Sequence, residues 1–557
     1  MIQYQPIMVT LLTGEQPREL PVVAFNGQEA INAPYRFTVD LLIPDPQPDL
    51  DLLRRSSAYL TLDPLHGIHA RITSTSKLYA GNGASLYRIN LGPSLLDWQH
   101  TPRRRLFQHL NVIQIIEQLL REHDTPAQAY RFEPLVGIYP PRPLCVQHDE
   151  TDLYLLQRLC EEEGIHFHFE HCSDTHTLVF ADDPACFPSR YLSVPFCPPT
   201  SAIAQGPTLE HLAERWAMRP TTIGHRITPR APRKISLAHG ALKRKEACNQ
   251  HFEACDRSRL PTEREAHDRQ RSARTLEQQR CERRTIVGRG SELPLTSGQI
   301  IQVQEHPEAR FNDQWLLVEV DHFGKQPQVL LGNDPHDAAA ILEALESPQG
   351  MDTVNQRTAC WRTACTLAPF KRGYRNRFRV LPWEMPFRPS LEHGKRGTAG
   401  YQSATLLDAT LQESRNQDRL PVSLETLPGE SGQLTAPAYL APRQISRLDV
   451  GARVILGHFD NDPDRPIICA VHPSQDLPAE QNQVLASPRP QGTPSEVQDD
   501  NALHVRCDDT LSLSMGNAIV EVARGHIRLT TRPDDPQQPP VSLSASDQPD
   551  RDAPGPA

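Results

Sequence analysis

The most informative stretch of the sequence runs from residue 145 to residue 171 and reads CVQHDETDLYLLQRLCEEEGIHFHFEH. Its middle places leucines on one face of a helix, namely Leu153, Leu155, Leu156 and Leu159. We expect a helix over about 150–163, which Asp149, Thr151 or both can cap at its start. Gly164 suits the left-handed position that follows a last helical turn, and the residues after it predict a strand.

The flanks of this stretch extend the same α+β pattern. An earlier helix is predicted from about Asn111 to Glu122, from apolar residues that recur at helical spacing. A second strand is predicted at Thr177–Ala181, after a turn at Ser173–Asp174. Together these segments predict one compact layer of helices and strands.

The N-terminal residues alternate with the period of a strand. Tyr35, Phe37, Val39 and Leu41 fall on one face, after a turn predicted at Asn26–Gly27. Further strands are predicted at His69–Ser76 and Ser85–Leu91, joined around Gly81–Gly83. This is typical of a β-barrel or sandwich.

Residues 205–335 return to strands, as at Gln299–Gln304 and Trp315–Val320. The exception is Arg259–Arg284, whose dense charges predict a solvated helix. Residues 336–372 favour a helical connector with little core.

A strand-rich segment from Gly397 to Pro473 has the size of a five-stranded barrel. Residues 476–500 have linker composition, and short alternating segments recur from Asn501 to Thr531. The tail from Pro533 to Ala557 is predicted to be disordered.

The composition is that of a β-rich protein of several domains. The chain has 557 residues, 52 of them proline, which disfavours long uninterrupted helices. Its net charge of -10 excludes a general basic field for nucleic acid, and the best basic cluster, Arg103–Arg105, is predicted to be a solvated loop. No signal peptide and no membrane-length apolar run is visible, so we expect synthesis in the cytosol. The twelve cysteines are expected to be buried thiols.

One cluster of histidines and one of aspartates have residue types that could bind a metal. His166 and His168 share a face of a strand, with His171 close by, but no Cys or carboxylate completes a known spacing. Asp460, Asp462 and Asp464 resemble the start of a calcium loop, but Arg465 stands where such a loop needs glycine. A strand and a turn are the preferred interpretations.

Glutamates and cysteines give no catalytic pattern either. Glu161, Glu162 and Glu163 are adjacent on a helix and do not face each other as an acid and base pair would. Cys248 and Cys255, or Cys360 and Cys365, lack zinc-ribbon spacing. We predict no catalytic, cofactor-binding or metal-binding residue, and no enzyme activity.

With these residues in view, the stretch 145–171 resembles the hub of the VgrG family, the spikes of type VI secretion systems. The family's form is close to C-V-Q-Y-x-E-S-D followed by R-L-x-E-E-E-G-I, with His148 and Thr151 as packing replacements here. A second match consists of Val450–Leu456 followed by Asp462–Ile468. These segments are similar to the family's barrel hairpin, V-G-x-E-V…G-D-P-D-R-P-I-I, except that Asn461 stands in place of Gly. Tyr374–Phe378 lies between the two matches.

The resemblance covers about residues 5–335 and 370–475, and one barrel motif departs from it. Where the family has D-x-x-G-R-V-x-V, this chain has Asp418–Val422 in degraded form. The implied fold is mainly β with some α: phage-tail-hub-like β-barrel domains, a small OB-like barrel and a short C-terminal β-prism or β-helix, forming a homotrimer.

The implied domains follow in order along the chain. They are a first hub barrel over 1–95, an α+β hub domain over 96–204, a second hub barrel over 205–335, a connector over 336–396, an OB-like barrel over 397–475, a linker over 476–500, a short β-prism needle over 501–531 and a disordered tail over 532–557. No toxic enzyme domain fits in the tail.

The resemblance implies a structural spike that caps the Hcp tube, punctures target membranes and carries effectors. Its expected partners are two further copies of itself, the Hcp hexamer, baseplate proteins, a PAAR tip protein, an effector or adaptor and, transiently, the target membrane, but no nucleic acid. It is expected in the cytoplasm when assembled and outside the cell after contraction.

Three alternatives stay open at this point. One is the hub of a phage-like tail or another contractile injector. Another is a spike with cell-wall hydrolase activity, which the short segments 336–372 and 476–500 disfavour. The third is a decayed or accessory spike, suggested by the degraded barrel motif and the short needle.

Overall fold

The computed structural model describes most of the chain in two units, Met1–His472 and Pro473–Ala557, which are treated separately. The described residues are 7–12, 17–44, 56–63, 66–81, 84–187, 191–198, 207–219, 222–227, 233–236, 253–256, 265–291, 294–346, 370–398, 400–407, 419–424, 434–440, 450–471, 495–499, 502–506, 510–515, 518–523, 526–531 and 541–546. Strands dominate, which confirms the predicted mainly β fold class.

The first unit begins with a closed six-stranded barrel. Its strands are β1 (Met8–Leu12), β2 (Arg18–Ala30), β3 (Ala33–Pro44), β4 (Ser57–Thr61), β5 (Gly67–Ala80) and β6 (Ala84–Gly92). Pairing runs β1–β4–β5–β6–β3–β2 and returns from β2 to β1. The predicted apolar face is confirmed, because Tyr35, Phe37, Val39 and Leu41 all lie in the barrel core.

One turn of this barrel is not where the sequence predicts it. Asn26 and Gly27 lie inside β2, and the chain reverses at Ile31–Asn32 instead. Gly27 is needed within the strand because a Cβ there would come 2.1 Å from the Phe37 ring on β3. Asn32 adopts a φ of 65°, which asparagine tolerates well, so the turn chemistry is present five residues later.

An α+β layer follows the first barrel. It contains β7 (Pro102–Phe107), α1 (Val112–Glu122), β8 (Tyr130–Phe132), β9 (Cys145–Thr151), α2 (Asp152–Glu163), β10 (His166–His171) and β11 (His176–Ala181). Both predicted helices are confirmed, and their apolar faces share one core with Phe107, Phe167 and Phe180. Asn111 and Gln114 form a reciprocal capping box at the start of α1.

A second six-stranded barrel completes the hub. Its region contains β12 (Tyr191–Pro195), β13 (Thr208–Trp216), β14 (Thr222–Ile227), β15 (Arg233–Ser236), β16 (Glu253–Asp256), α3 (Glu265–Arg283), β17 (Arg284–Ser291), β18 (Ile300–Gln304), β19 (Gln314–Lys325), α4 (Pro335–Glu346) and β20 (Gly373–Pro382). Pairing runs β12–β18–β19–β20–β17–β13, and a bridge between Phe196 and Leu209 brings β13 back beside the end of β12. β14, β15 and β16 form a separate small sheet.

The two barrels share a seam, because β19 pairs with β2 along Glu319–Lys325. The structure differs here from the predicted connector over 336–396, since Gly373–Pro382 is a full strand of the second barrel. Its alternating apolar residues Phe378 and Val380 enter the barrel core, which explains why it closes the sheet between β17 and β19.

Helix α3 also differs from its prediction as a solvated helix. Ser272, Arg274, Gln278 and Cys281 are buried on one side of it. Polar side chains can face the protein here because buried partners accept their hydrogen bonds. No helix in the described part of the chain is long and apolar enough to cross a membrane.

The predicted five-stranded barrel ends the first unit. Its strands are β21 (Gln402–Leu406), β22 (Arg419–Leu424), β23 (Leu434–Leu440), β24 (Arg453–His458) and β25 (Pro466–Val471), closed in the order β21–β22–β23–β25–β24. The predicted hairpin between β24 and β25 is present, and Asn461 has a φ of 59°, which suits the family's glycine at this turn.

The second unit contains two antiparallel sheets. One pairs β26 (Ser495–Asp499) with β27 (Ala502–Arg506), and the other joins β28 (Thr510–Met515), β29 (Ala518–Ala523), β30 (His526–Thr531) and β31 (Val541–Ser546). The predictions of a linker over 476–500 and a disordered tail over 532–557 are therefore wrong at β26 and β31. Both segments find a strand partner through backbone hydrogen bonds, which composition does not reveal.

Candidate hub-to-barrel junction

The E-E-E-G end of α2 carries buried charges, which is unusual for a helix. Thr151 caps its start by accepting a hydrogen bond from the Tyr154 amide at 3.2 Å, and Gly164 ends it with a φ of 68°. Arg158 is fully buried, and Glu161 and Glu163 are nearly so. Buried charges require partners of opposite charge or hydrogen bonds within the protein.

Arg158 is the centre of an ionic cluster. Its guanidinium donates to Glu150 at 2.8 Å, to Glu162 at 2.9 Å and to the Val146 carbonyl at 3.1 Å. Arg142 lies beside it and bridges Glu162 at 2.8 Å and Glu163 at 2.5 Å. The cluster ties α2 to β9 and to the loop before it.

Two carboxylates of this cluster, Glu162 and Glu163, are held as anions. Burial opposes the ionisation of Glu163, but Arg142 and His267 outweigh it and lower its pKa to about 2. Burial likewise opposes the charge of Glu162, yet Arg142 and Arg158 place its pKa well below the ordinary value. At Glu150 the effect of burial is larger than that of Arg158, so the pKa of this carboxyl is raised. Glu162 and Glu163 are thus fixed charges at neutral pH, suited to holding cations in place.

The segment Pro386–Thr398, here called the strap, runs from the second barrel to the small barrel along α2. Arg388 donates to the carbonyls of Gly164 and Asp182 and to Glu277 at 2.7 Å. The His393 amide and ring both bond to the Glu161 carboxylate, at 2.7 and 2.6 Å. These contacts fix the first half of the strap to the end of the helix.

The second half of the strap reaches the start of the helix. The Tyr154 hydroxyl donates to the Gly394 carbonyl at 2.7 Å. Arg396 donates to the Asp149 carbonyl at 2.6 Å and lies over the Tyr154 ring. The strap therefore has polar anchors along its length and does not behave as a free linker.

Lys395 joins the strap to the hairpin of the small barrel. Its ammonium lies 3.1 Å from Asp462 and also contacts Asp464. Burial opposes its charge, but Asp464, Glu162 and Asp462 outweigh it, so its pKa lies above the ordinary value. Asp464 also accepts from the Val146 amide at 2.6 Å, so one turn holds both the strap and β9.

Apolar contacts reinforce this junction. Leu144 and Val146, at the start of β9, belong to the core of the small barrel together with Ala404, Leu406, Leu420, Val422, Val454, Leu456 and Ile468. The hub therefore places two side chains in the barrel interior, next to the ionic contacts of Asp464. Contacts of both kinds fix the small barrel to the hub.

A further anchor fixes α3 to the same layer. Asp182 is buried and accepts from the amides of Val136 and Gly137, the Tyr139 hydroxyl and Arg274. Burial opposes its charge, but these donors lower its pKa below the ordinary value. The charge on Arg274 is neutralised within the protein, which is why α3 can turn this face inward.

The residues weighed as sites in the sequence fall in different places. Asp462 and Asp464 do hold a cation, the ammonium of Lys395. Arg103–Arg105 belong to strand β7 and not to a loop, because β7 pairs with β9. Asp152 and Asp149 neutralise Arg105 and Arg104, each at 2.6 Å. No group of three or more metal-ligating side chains was found among the described residues.

The prediction of buried thiols is confirmed at three described cysteines and is wrong at four others, because Cys172 is exposed and Cys186, Cys197 and Cys469 are half-buried. Cys145, Cys160 and Cys281 are buried and free. Burial raises the pKa of Cys145 and of Cys281 to about 11. Cys248, Cys360 and Cys365 lie outside the described residues.

Sequence reasoning missed the strap. Its signal was the basic run Arg388, His393, Lys395 and Arg396, which complements the glutamates of α2. The two segments are more than 200 residues apart, so the pairing has no local pattern. A cavity of about 440 Å³ lies between Arg71 and His100, away from this junction.

Comparison with known proteins agrees with this architecture. Residues 28–328 match the phage tail baseplate hub (GPD) family. Two curated relatives from Pseudomonas aeruginosa are the type VI secretion system spike proteins VgrG4b, 33% identical over 83% of this chain, and VgrG5, 32% identical over 83%. The chain spans 56% and 57% of these relatives, little more than half of their length.

Among solved structures, the E. coli c3393 protein, a type VI secretion component described as similar to T4 bacteriophage tail proteins, matches with a TM-score of 0.57. It is 18% identical, and the match covers 83% of this chain and 99% of that one, which supports the fold. The chain therefore belongs to the phage tail baseplate hub (GPD) family, in the branch whose curated relatives are VgrG spike proteins of type VI secretion systems.

Proposed function

We propose that this chain is the hub and spike subunit of a type VI secretion system. Three copies form a ring that caps the Hcp tube, and the small barrels and the C-terminal strands are parts of the spike. The sheath supplies the work of contraction, while this protein supplies a rigid tip that punctures the target membrane and carries effectors.

The observation that carries the proposal is the pair of six-stranded barrels joined through β2 and β19. Two barrels in each of three chains give six similar units, which suits a sixfold tube. The first barrel closes through a β1–β2 ladder, and in the second a bridge between Phe196 and Leu209 brings the end strands together within one chain. Ring contacts would then be made by side chains on preformed surfaces.

The junction supports the mechanical part of the proposal. A spike has to transmit force from the hub without bending at the small barrel. The strap, Lys395 and the inserted side chains Leu144 and Val146 give several independent attachments between them. A single flexible linker would absorb the motion instead.

The partners follow from the proposed role. We expect baseplate proteins at the hub, a PAAR protein at the tip, and an effector or adaptor on the C-terminal part. Assembly takes place in the cytoplasm, and contraction then expels the protein. A phage-like tail hub is the alternative that the same fold allows.

The test is genetic. In the source bacterium, deletion of the gene should abolish the appearance of Hcp in the culture medium, and the intact chain should restore it. An Arg158→Ala chain should restore it poorly, whereas a Glu384→Gln chain, changed at an exposed carboxylate, should restore it fully. Unchanged Hcp export in the deletion strain would contradict the proposal.

A further inference from the structure

The hairpin β10–β11 lies where the first barrel meets the α+β layer. The Asn32 amide donates to the Phe167 carbonyl at 2.8 Å, and Gln157 donates to the Asn32 carbonyl at 2.8 Å. Tyr35 packs against Phe169 with ring centroids 4.9 Å apart. The turn of one barrel hairpin is thus fixed against another hairpin, and histidines line this contact.

Three histidines surround Tyr35 at one end of the contact. His69 on β5 and His176 on β11 have their Nδ1 atoms 3.0 Å apart. One ring donates and the other accepts, which requires at least one neutral imidazole. His171 packs on Tyr35 at 4.8 Å between centroids, and its ring nitrogens are shielded from solvent.

A fourth histidine lies at the other end of the hairpin. His166 is fully buried and stacks on Phe187 with centroids 4.5 Å apart. Neither of its ring nitrogens has a hydrogen-bond partner in the part of the chain that the structure describes. A neutral ring fits this apolar surrounding, whereas a charged one would lack compensation.

The charged groups around these rings favour the neutral form on balance. His166 faces the cations Arg388 and Arg274 and the ring of His168, against the single anion Asp182. His168 itself lies 3.7 Å from Glu170.

The other three rings have a similar balance. His176 faces Arg71 and His69, and His171 faces His176, His69 and His322. The groups that favour protonation are Asp174 near His69 and the His69 carbonyl near His171. His322 is hydrogen-bonded to Tyr374 and lies 3.1 Å from Glu29.

We propose that this hairpin is an acid-released joint, in which His69, His171 and His176 hold the α+β layer to the first barrel while neutral and free it when protonated. The contact between the hairpin and the first barrel would then open in acid. The inference concerns the isolated chain, so it does not depend on the proposed role in secretion.

The direction of the pH dependence follows from the burial of the rings. Burial lowers the pKa of His171 to about 3 and of His176 to about 4, and it lowers the pKa of His69 and His166 as well. The opened hairpin binds protons near the ordinary pKa of about 6.5. The joint is therefore fully stable above about pH 6.5 and loses stability as the pH falls towards about 4.

Hydrogen exchange on the full-length protein tests the joint. Peptides covering 165–181 should lose protection between pH 6.5 and 4.5, after correction for the intrinsic rate, while peptides covering 373–382, which contain no histidine, keep theirs. With two protons taken up by groups of pKa about 6.5 in the opened hairpin, the opening constant should rise about 60-fold between pH 6 and pH 5, and further with each additional proton.

Two variants separate protonation from packing. His176→Gln removes one titrating ring and keeps a hydrogen-bonding side chain. Its opening constant should therefore rise less than that of the wild type, by a factor of up to about ten for each unit that the pH falls. His171→Phe keeps an aromatic contact with Tyr35 and should shift the opening to lower pH. His100→Gln, at an exposed histidine, is the matched control and should behave like the wild type.

Two results would overturn the proposal. One is equal protection of 165–181 at pH 4.5 and pH 7.5. The other is a pH dependence in both His176→Gln and His171→Phe that matches the wild type. Protonation of other groups would then control the opening. If either variant fails to fold at neutral pH, the remaining one decides.

Discussion

The first barrel and the junction at α2 are stabilised in opposite ways. The barrel interior is apolar, with Tyr35, Phe37, Val39 and Leu41 almost fully buried among other hydrophobic side chains. The junction is ionic, with Arg158 fully buried between carboxylates. An apolar core tolerates many exchanges of similar volume, whereas a buried ionic cluster fails when one member is removed. The junction should therefore be the more sensitive region.

The largest effect is expected for Arg158→Ala. It leaves Glu150 and Glu162 buried without their shared guanidinium, which costs about 3–5 kcal/mol in comparable cases. Urea denaturation of the full chain at pH 7.5 measures this loss. A loss below about 1 kcal/mol would show that the cluster is well hydrated and that the contrast with the barrel is wrong.

The second-largest effect is expected from acid, which should weaken the junction between about pH 4.5 and pH 2. The lowered pKa of Glu163, about 2, means that its stabilisation is complete above about pH 4.5 and is lost as the pH falls towards 2. Glu163→Gln should cost about 2–3 kcal/mol at neutral pH and flatten the pH dependence of the urea midpoint below pH 4.5. The control Glu384→Gln should leave the profile unchanged, and an unchanged profile in Glu163→Gln would remove this residue from the cluster.

Gly27→Ala tests the barrel side of the comparison. The added methyl group meets the Phe37 ring and should destabilise the barrel by about 1–3 kcal/mol. Gly394→Ala is the matched control, because nothing lies within 4 Å of a Cβ at that position. Thermal unfolding of both variants checks this, and equal melting temperatures would show that the barrel accommodates a methyl group beside the Phe37 ring.

The smallest effect is expected for Arg131→Ala. Arg131 contacts Glu170 at 2.6 Å, but both side chains are exposed, so solvent screens the pair. The loss should stay below about 1 kcal/mol and vanish in high salt. A loss as large as that of Arg158→Ala would mean that burial does not distinguish the two sites.

Local patterns predicted much of this fold, because they depend on nearby residues. The helix over 152–163 carries its cap and its terminal glycine within a few residues, and both act as predicted. The strand with Tyr35 and Phe37 follows from alternation alone. The turn signal Asn26–Gly27 failed because a cross-strand ring requires the glycine, which only the partner strand reveals.

The junction could not be predicted for the same reason. Glu161 and His393 are 232 positions apart, and no spacing rule links a helix end to a strap so distant. Gly373–Pro382 was missed as a barrel strand because it follows a stretch of connector composition. Long-range strand closure depends on the whole sheet, so only the folded chain shows it.

The central claim is that three chains assemble into one hub with a continuous spike. Light scattering on the purified full-length chain measures this most directly. The account predicts a single species near three times 62.6 kDa. A clean monomer at micromolar concentration would contradict it, because two barrels alone cannot match a sixfold tube.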